Sequence, residues 1–299
     1  MNILITGGTG FIGSHLCMEL LQEGHMLRLV TRNPEKYRES EAQNQQFVSW
    51  EDNFVKEMDW ADAVINLAGE SIFGQRWTSK VKDRIYNSRV DGTRQLAKAV
   101  NEADDKPEVF ISGSAVGYYG DPGEKKVDEQ SSPGSDFLAR VVYEWEEAAK
   151  MAEDSTRLVI PRLGIVLEKG GGALKQMLPP FKMFVGGPVG SGQQYLPWIH
   201  MVDVWKGIKF MITNDDMEGA YNLCAPHPVT MRELADEIGA QLNRPSWIRV
   251  PEIALKLILG EAAIPVTASL NISSEKLESA GFEFTYRTLD IALADILNQ

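Results

Sequence analysis

The sequence predicts an α/β fold, a doubly wound parallel sheet with a smaller C-terminal substrate lobe, and three observations predict it. An apolar strand, Asn2-Ile3-Leu4-Ile5-Thr6, runs straight into the glycine-rich turn Gly7-Gly8-Thr9-Gly10-Phe11-Ile12-Gly13 and from there into an apolar-periodic helix reaching Glu23. Short apolar runs then alternate with long helical patterns, the rhythm of parallel strands joined by crossover helices. Beyond Gly164 the clusters Gly170-Gly171-Gly172, Pro179-Pro180, Gly186-Gly187-Pro188 and Gly190-Ser191-Gly192 break that rhythm. A first domain over 1–164 is therefore expected, then a lobe of short helices and loops over 165–299, with about 198–223 returning to the first domain.

The opening turn has the form of a dinucleotide-binding, Rossmann-type turn. Gly7 permits the reversal of the chain, Gly10 lets the main chain approach a pyrophosphate with no Cβ in the way, and Gly13 lets the helix pack closely on the strand. The backbone of Thr9, Gly10, Phe11 and Ile12 then faces the phosphates at a helix start, where amides are free.

The second strand is Met26 to Val30, ending at Thr31-Arg32 before the turn Asn33-Pro34, and a weaker strand spans Gln46 to Trp50. Ala63 to Gly69 is a short apolar run ending in small residues, as befits a strand buried on both faces. A long helix is expected from Thr78 to Ala103, a strand at Val109 to Ser112, a loop from Gly113 to Pro133 and a helix from Ser135 to Ala152. The strand Arg157 to Ile160 is expected to stop before Pro161. In the second lobe Thr230-Met231-Arg232-Glu233 reads as a capping box, opening a helix that ends near Asn243, and Pro251 as the start of the next.

Composition bounds the function. With 43% hydrophobic and 24% charged residues the chain is an ordinary globular one. A formal net charge of -12 argues against a nucleic-acid backbone or an anionic membrane as the main partner. Cys17 and Cys224, far apart and with no Cys/His cluster near either, point to neither a disulfide framework nor a metal site. The first strand begins at once, with no basic lead or apolar leader, and no run approaches a membrane span, so a cytoplasmic protein is expected.

Four stretches carry a resemblance to the short-chain dehydrogenase/reductase superfamily, in its extended, epimerase/dehydratase-like form. They are Thr6 to Gly13, Ile65 to Gly69, Ile111 to Gly120, and Gly190 to Asp203, the last similar to the family's GxGxQ…(F/W)IHVxD segment. Gly69-Glu70-Ser71-Ile72 with Arg76-Trp77, the run Ser88 to Thr93, and Gly171 to Phe181 resemble a narrower branch known as nucleoside-diphosphate-sugar epimerases of unknown substrate.

The resemblance implies a nicotinamide cofactor, and Thr31-Arg32 selects its form. NAD-binding members end the second strand in an acidic residue for the ribose 2′-hydroxyl, roughly 20 residues past the turn. Arg32 would instead meet a 2′-phosphate, so NADP is expected. Leu67, Ala68 and Gly69 would line the adenosine side, with Glu70 beside the ribose, and Pro161, Arg162 and Leu163 would sit near the nicotinamide through their backbone.

The family's catalytic pattern breaks here. Its members use a tyrosine with a lysine four residues later, yet none of the eight tyrosines is followed by lysine at that spacing. The serine run persists as Ser112-Gly113-Ser114-Ala115, with Ser114 at the position that orients the substrate oxygen and Ser112 beside the cofactor. The long helix's asparagine is replaced by Arg89, a candidate for a phosphate or a substrate carboxylate. Tyr119 or its neighbour Tyr118 could donate a proton. His200 reads as structural. Where nucleotide-sugar enzymes place an arginine after the GxGxQ turn, this chain has Leu196-Pro197; Trp77, Phe181, Met183, Phe184, Tyr195 and Trp198 are candidates to line a more apolar pocket.

Two functions stay open: an NADP(H)-dependent oxidoreductase or epimerase acting on a small carbonyl or hydroxyl substrate, and a non-catalytic NADP(H)-binding sensor or interaction protein. Family members commonly dimerise through the two long helices. Val141, Trp145, Ala148 and Ala149 suit either a homodimer bundle or the chain's own sheet.

Overall fold

The computed structural model describes residues 1–298. Gln299, the last residue of the expected C-terminal lobe, lies outside the described residues. The first half alternates as expected through β1 (Asn2–Thr6), α1 (Phe11–Gln22), β2 (Met26–Thr31), β3 (Gln45–Ser49), α2 (Phe54–Trp60), β4 (Ala63–Asn66), α3 (Ser79–Glu102) and β5 (Val109–Ser112). After β5 come β6 (Ser114–Ala115), a 3-10 turn (Val116–Tyr119), β7 (Gly123–Val127), α4 (Phe137–Lys150), β8 (Arg157–Leu163), β9 (Ile165–Leu167) and α5 (Gly172–Lys182). Next are β10 (Tyr195–Leu196), β11 (Trp198–His200), α6 (Met201–Thr213), β12 (Gly219–Leu223), β13 (Val229–Thr230) and α7 (Met231–Leu242). The chain ends with α8 (Glu252–Leu259), α9 (Ile264–Thr267), β14 (Leu270–Ile272), α10 (Glu275–Ser279) and α11 (Leu289–Asn298).

The main sheet runs β12-β8-β5-β4-β1-β2-β3, with β6 continuing beside β8, and its ladders are parallel. Strand order therefore reverses between β1 and β4, the crevice where ligands bind in open α/β sheets. Alternation along β1 feeds two cores: Ile3 and Ile5 pack with Leu16 and Leu20 of α1 and Val204 and Ile208 of α6, while Leu4 packs with Met58 of α2 and Leu96 and Val100 of α3. Arg157 binds the end of α6 to the sheet, its guanidinium donating to the carbonyls of Met211, Ile212 and Met217 at 2.8–3.0 Å. A third core gathers Leu174 and Leu178 of α5, Leu234 and Ile238 of α7, and Leu293 and Ile296 of α11.

Local chemistry starts the helices where the sequence indicates. Thr78 caps α3 and Asp136 caps α4, each accepting from backbone amides one turn in. Thr230 and Glu233 form the expected capping box at α7, and Pro251 stands just outside α8, which opens at Glu252.

Three expectations are corrected. β8 passes through Pro161 to Leu163, pairing with β12 on one side, because on the other side Pro161 lies opposite the break between β5 and β6 where the ladder needs no amide. The expected loop from Gly113 to Pro133 contains β6 and β7, and β7 pairs with the distant β14, a partner no local pattern announces. α5 runs through Pro179 and Pro180, near its end, where the amides they lack would have served exposed Lys175 and Gln176.

Val141, Trp145, Ala148 and Ala149 are all at most 7% exposed within the single chain, so they face its own sheet and the neighbouring helix. Among the described residues no helix is long and apolar enough to cross a membrane. Cys17 and Cys224 are both free and buried, and burial pushes the Cys17 thiol up to about 12.

Candidate functional site at the strand tips

The glycine turn between β1 and α1 is built as the sequence implies. Gly7 takes φ +72°, and a Cβ there would stand 2.6 Å from the Leu67 carbonyl, so this turn and the end of β4 touch through backbone alone. At Gly13 a Cβ would fall 2.2 Å from the Gly7 oxygen, which is how the absence of a side chain lets α1 start against the strand. Gly10 donates to the Gly7 carbonyl at 2.9 Å and accepts the first helical bond from Ser14. No side chain caps α1, so the amides of Phe11, Ile12 and Gly13 are left for an external acceptor. Thr9 and Gly10 are exposed above them, and the Phe11 ring packs on Gly171 and Gly172 of the second lobe. These uncapped amides and the cradle at Gly10 fit a dinucleotide's phosphates.

Flanking this turn, Thr31 is buried at the end of β2, and Arg32 next to it is exposed with no ion pair or hydrogen bond among the described residues. Across the crevice, Leu67 and Ala68 are half-buried, and the Ala68 amide donates to Thr6 Oγ1 at 3.2 Å. Thr6 in turn donates to Asn66 Oδ1 (2.6 Å), and Asn66 Nδ2 donates to Thr93 Oγ1 (2.7 Å), which also accepts from Trp145 Nε1 (2.8 Å). This buried chain ties the tips of β1 and β4 to α3 and α4, and sequence reasoning assigned it no role. Its one signal was Asn66, a polar residue inside the apolar run of β4.

The Glu70 carboxylate is turned to Arg84 (3.3 Å), while its amide donates to Ser88 Oγ (2.9 Å) and its carbonyl accepts from Arg89 (3.1 Å). Arg89 is aimed back under Gly69, whose absent Cβ would lie 3.0 Å from the guanidinium carbon.

Ser114, Tyr119 and Arg162, drawn from three segments, meet in a second buried network. Arg162 makes a bidentate pair with Glu146, Nε and Nη2 each 2.8 Å from a carboxylate oxygen, both residues at most 4% exposed. Ser114 donates to the same carboxylate at 2.5 Å. Arg162 Nη1 donates to the Tyr119 hydroxyl (2.9 Å), which donates to Asn222 Oδ1 (2.6 Å), and Asn222 Nδ2 reaches the Ser273 carbonyl (2.9 Å). The guanidinium also lies 3.6 Å over the Tyr118 ring. Burial alone would pull the Arg162 pKa down, but the bonds and charge of Glu146 outweigh it and push it up. Burial pushes the Tyr119 phenol well above its usual range.

Glu146 and Asn222 are the residues that sequence reasoning missed. Glu146 carried one signal, its place four residues after Val142 and three before Ala149 in the buried stripe of an amphipathic helix.

Ser112, 1% exposed at the end of β5, is the contrast to Ser114: its Oγ has no hydrogen-bond partner among the described residues. Pro161 is buried and Leu163 half-buried at the end of β8. Of the aromatics expected around a pocket, Trp77, Phe181 and Trp198 belong to packed cores, Tyr195 is half-buried, and Met183 and Phe184 are exposed on the second lobe. His200 caps α6, its Nδ1 accepting from the Val202 amide (3.1 Å), and stacks on Tyr286; burial lowers its pKa. Two open surface depressions of 360 and 560 Å³ lie around Lys126 and Ser273, on the far side of β12 from the glycine turn.

A parallel sheet reversing at β1 and β4, with a glycine cradle and uncapped helix amides at that crevice, defines a Rossmann-type nucleotide-binding protein. The chain belongs to the NAD dependent epimerase/dehydratase family, which matches residues 3–224; residues 250–296 match a domain of unknown function (DUF1731). It is 37% identical to the epimerase family protein YfhF of Bacillus subtilis, over 99% of this chain and 98% of that one. It is 39% identical to the chloroplastic epimerase family protein SDR39U1 homolog of Arabidopsis thaliana, over 99% of this chain and 87% of the other. The crystal structure of human epimerase family protein SDR39U1 (isoform 2) with NADPH superposes with a TM-score of 0.90 at 33% identity, covering 100% of this chain and 99% of that one.

Proposed function

We propose that this chain binds NADP(H) across the strand tips and acts as an oxidoreductase or epimerase on a small carbonyl or hydroxyl substrate. The observation that carries the choice of cofactor is Arg32, an exposed and unpaired guanidinium one residue past β2, beside the uncapped amides of α1. The NADPH in the human relative's structure supports the same choice. A carboxylate at that tip would repel a 2′-phosphate, whereas Arg32 attracts it. Arg32→Ala is expected to weaken NADPH about 10- to 100-fold, from loss of a charged hydrogen bond of roughly 1.5–3 kcal/mol, and to leave NADH within about twofold. Equal losses for both dinucleotides, measured by fluorescence titration, would remove Arg32 from the phosphate site.

When bound, such a cofactor supplies or accepts hydride. The chain's own residues hold its phosphates on the amides of Phe11 to Gly13, its adenosine beside Leu67 to Gly69, and its nicotinamide near Ser112 and the backbone of Pro161 to Leu163. Ser114 donates its proton to Glu146, which leaves its oxygen able to accept from a substrate hydroxyl. Ser112 keeps an uncommitted hydroxyl that can donate.

One observation favours the second reading, a non-catalytic sensor: the hydroxyls of Ser114 and Tyr119 are both already committed inside the protein. Incubation of the purified chain with NADPH and a panel of carbonyl compounds separates the two. Turnover that Ser114→Ala abolishes supports the enzyme; tight binding without turnover on any compound supports the sensor.

A further inference from the structure

The most exposed apolar side chains of this chain are gathered rather than scattered. Among the described residues six large apolar side chains are at least 56% exposed, and five of them, Met183, Phe184, Trp247, Ile253 and Leu257, fall in two short stretches of the second lobe. Single exposed apolar residues need no explanation, but a cluster marks a surface that something covers. Backbone pairing brings the two stretches together: Ile248 donates to the Gly186 carbonyl (3.2 Å), Val250 to that of Pro188 (2.9 Å), and Gly190 to that of Val250 (2.9 Å). The Arg244 guanidinium lies 4.4 Å over the Phe184 ring. α8 leaves this pairing at Glu252 and is held beyond its other end, where Gly260 packs on the Arg76 side chain and Glu261 pairs with Lys82 (2.6 Å). Between those anchors Ile253 and Leu257, four residues apart and so on one face of the helix, stand in solvent.

Phe184 adds a second, independent sign. It takes φ +64°, the left-handed conformation that ends a helix and favours glycine, with its amide donating to the Phe181 carbonyl (2.9 Å). An aromatic residue held there is strained, and its exposed ring gains little packing in return. The charge around it says what the ring meets. The whole chain carries -12, yet residues 175–190 and 243–257 hold five cations, Lys175, Lys182, Arg244, Arg249 and Lys256, against one acid, Glu252. Lys175 and Lys182, two turns apart on α5, are both exposed with no ion pair among the described residues. A second copy meeting this face about a twofold axis would set these cations against themselves.

We propose that this face, formed by Met183, Phe184, Trp247 and α8, docks the protein on the surface of an anionic lipid bilayer. Protruding aromatic and aliphatic side chains enter the headgroup boundary, and the lysines and arginines around them meet lipid phosphates. Each such cation contributes roughly fivefold in affinity. α8, with eight residues, is far too short to span a bilayer and lies along its surface. The acidic remainder of the chain is screened from the lipid beyond about 8–10 Å at physiological salt. The inference does not rest on the cofactor reading above.

The test is sedimentation of the whole chain with vesicles of phosphatidylcholine alone and of phosphatidylcholine mixed equally with phosphatidylglycerol. The mixed vesicles are expected to bind at least about tenfold more tightly, with the difference lost at high salt. Trp247, the one exposed tryptophan of seven, reports insertion: its emission is expected to shift to the blue on the mixed vesicles, and Trp247→Phe to lose the shift while retaining binding. Phe184→Gly is expected to weaken vesicle binding about five- to tenfold without lowering the melting temperature, since glycine suits that backbone; a ring kept for packing would lower it. Ile253→Ser with Leu257→Ser is expected to cost about tenfold or more, and Lys175→Glu with Lys182→Glu to erase the preference for the mixed vesicles. Absence of binding to the mixed vesicles overturns the proposal, as does equal binding to both kinds, or binding that either set of apolar changes leaves intact. If the chain ignores vesicles and Phe184→Gly instead dissolves a dimer in sedimentation velocity, the face belongs to a second copy and the proposal falls.

Discussion

Glu146→Ala is expected to destabilise the folded chain by about 3–5 kcal/mol, the cost of leaving a buried cation without its counter-charge. Glu146 is 3% exposed and holds three groups at once: both forks of Arg162, and the hydroxyl of Ser114. Its removal strands Arg162 at the end of β8 and frees the proton of Ser114. Arg162→Met strands the carboxylate instead, and a loss of similar size is expected. Replacing both, Glu146→Ala with Arg162→Met, is expected to cost clearly less than the sum, because no unpaired charge remains. Urea denaturation of the four proteins checks this; strict additivity would mean that the pair contributes no mutual stabilisation. The network spans β6, the 116–119 turn, α4, β8 and β12. Its loss is therefore expected to loosen the ends of β6, β8 and β12 before the rest of the sheet.

Gly13→Ala is expected to be the second large effect, and at the other end of the crevice. The added methyl would fall 2.2 Å from the Gly7 oxygen and 2.7 Å from the Gly8 Cα, backbone atoms that cannot rotate away. The start of α1 has to move off the strand, carrying the amides of Phe11 and Ile12 with it. Overpacking of this kind costs roughly 1–3 kcal/mol, and a similar loss of phosphate alignment corresponds to about 10- to 100-fold weaker NADPH. Gly170→Ala is the comparison: nothing lies within 4 Å of its Cβ position, and a change within about 0.5 kcal/mol is expected. Thermal melts with and without NADPH read both effects; a Gly13→Ala chain that binds as the wild type does would mean that the turn has slack the contacts do not show.

The glycine turn was legible residue by residue because its determinants are consecutive. Thr6 to Gly13 must be a strand, a reversal and a helix start in that order, and each glycine answers to one steric demand within the same short segment. Arg32 was legible for a related reason, since a parallel sheet puts the end of β2 beside the end of β1, Thr6 facing Val30. The capping box at Thr230 was equally local.

Legibility fails where partners come from separate segments. Arg162 was expected to meet the nicotinamide through its backbone; the partners of its buried side chain, Glu146 and Tyr119, and of Ser114 on the same carboxylate, come from segments that no local pattern joins. Pro161 looked like a strand end because proline breaks a ladder, but on one side β5 gives way to β6 at the same level, while β12 pairs through it on the other. The pairing of β7 with β14 joins Lys126 to Asn271, and nothing in either stretch specifies the other.

From its sequence alone this protein has a doubly wound parallel sheet, a glycine cradle for phosphates and a cationic tip at Arg32, because short-range sterics and hydrophobic periodicity act between near neighbours. The tertiary structure alone decided which buried charges are paired. Arg162 finds Glu146, since the dielectric penalty on a charge is settled by what other segments bring within a few ångströms.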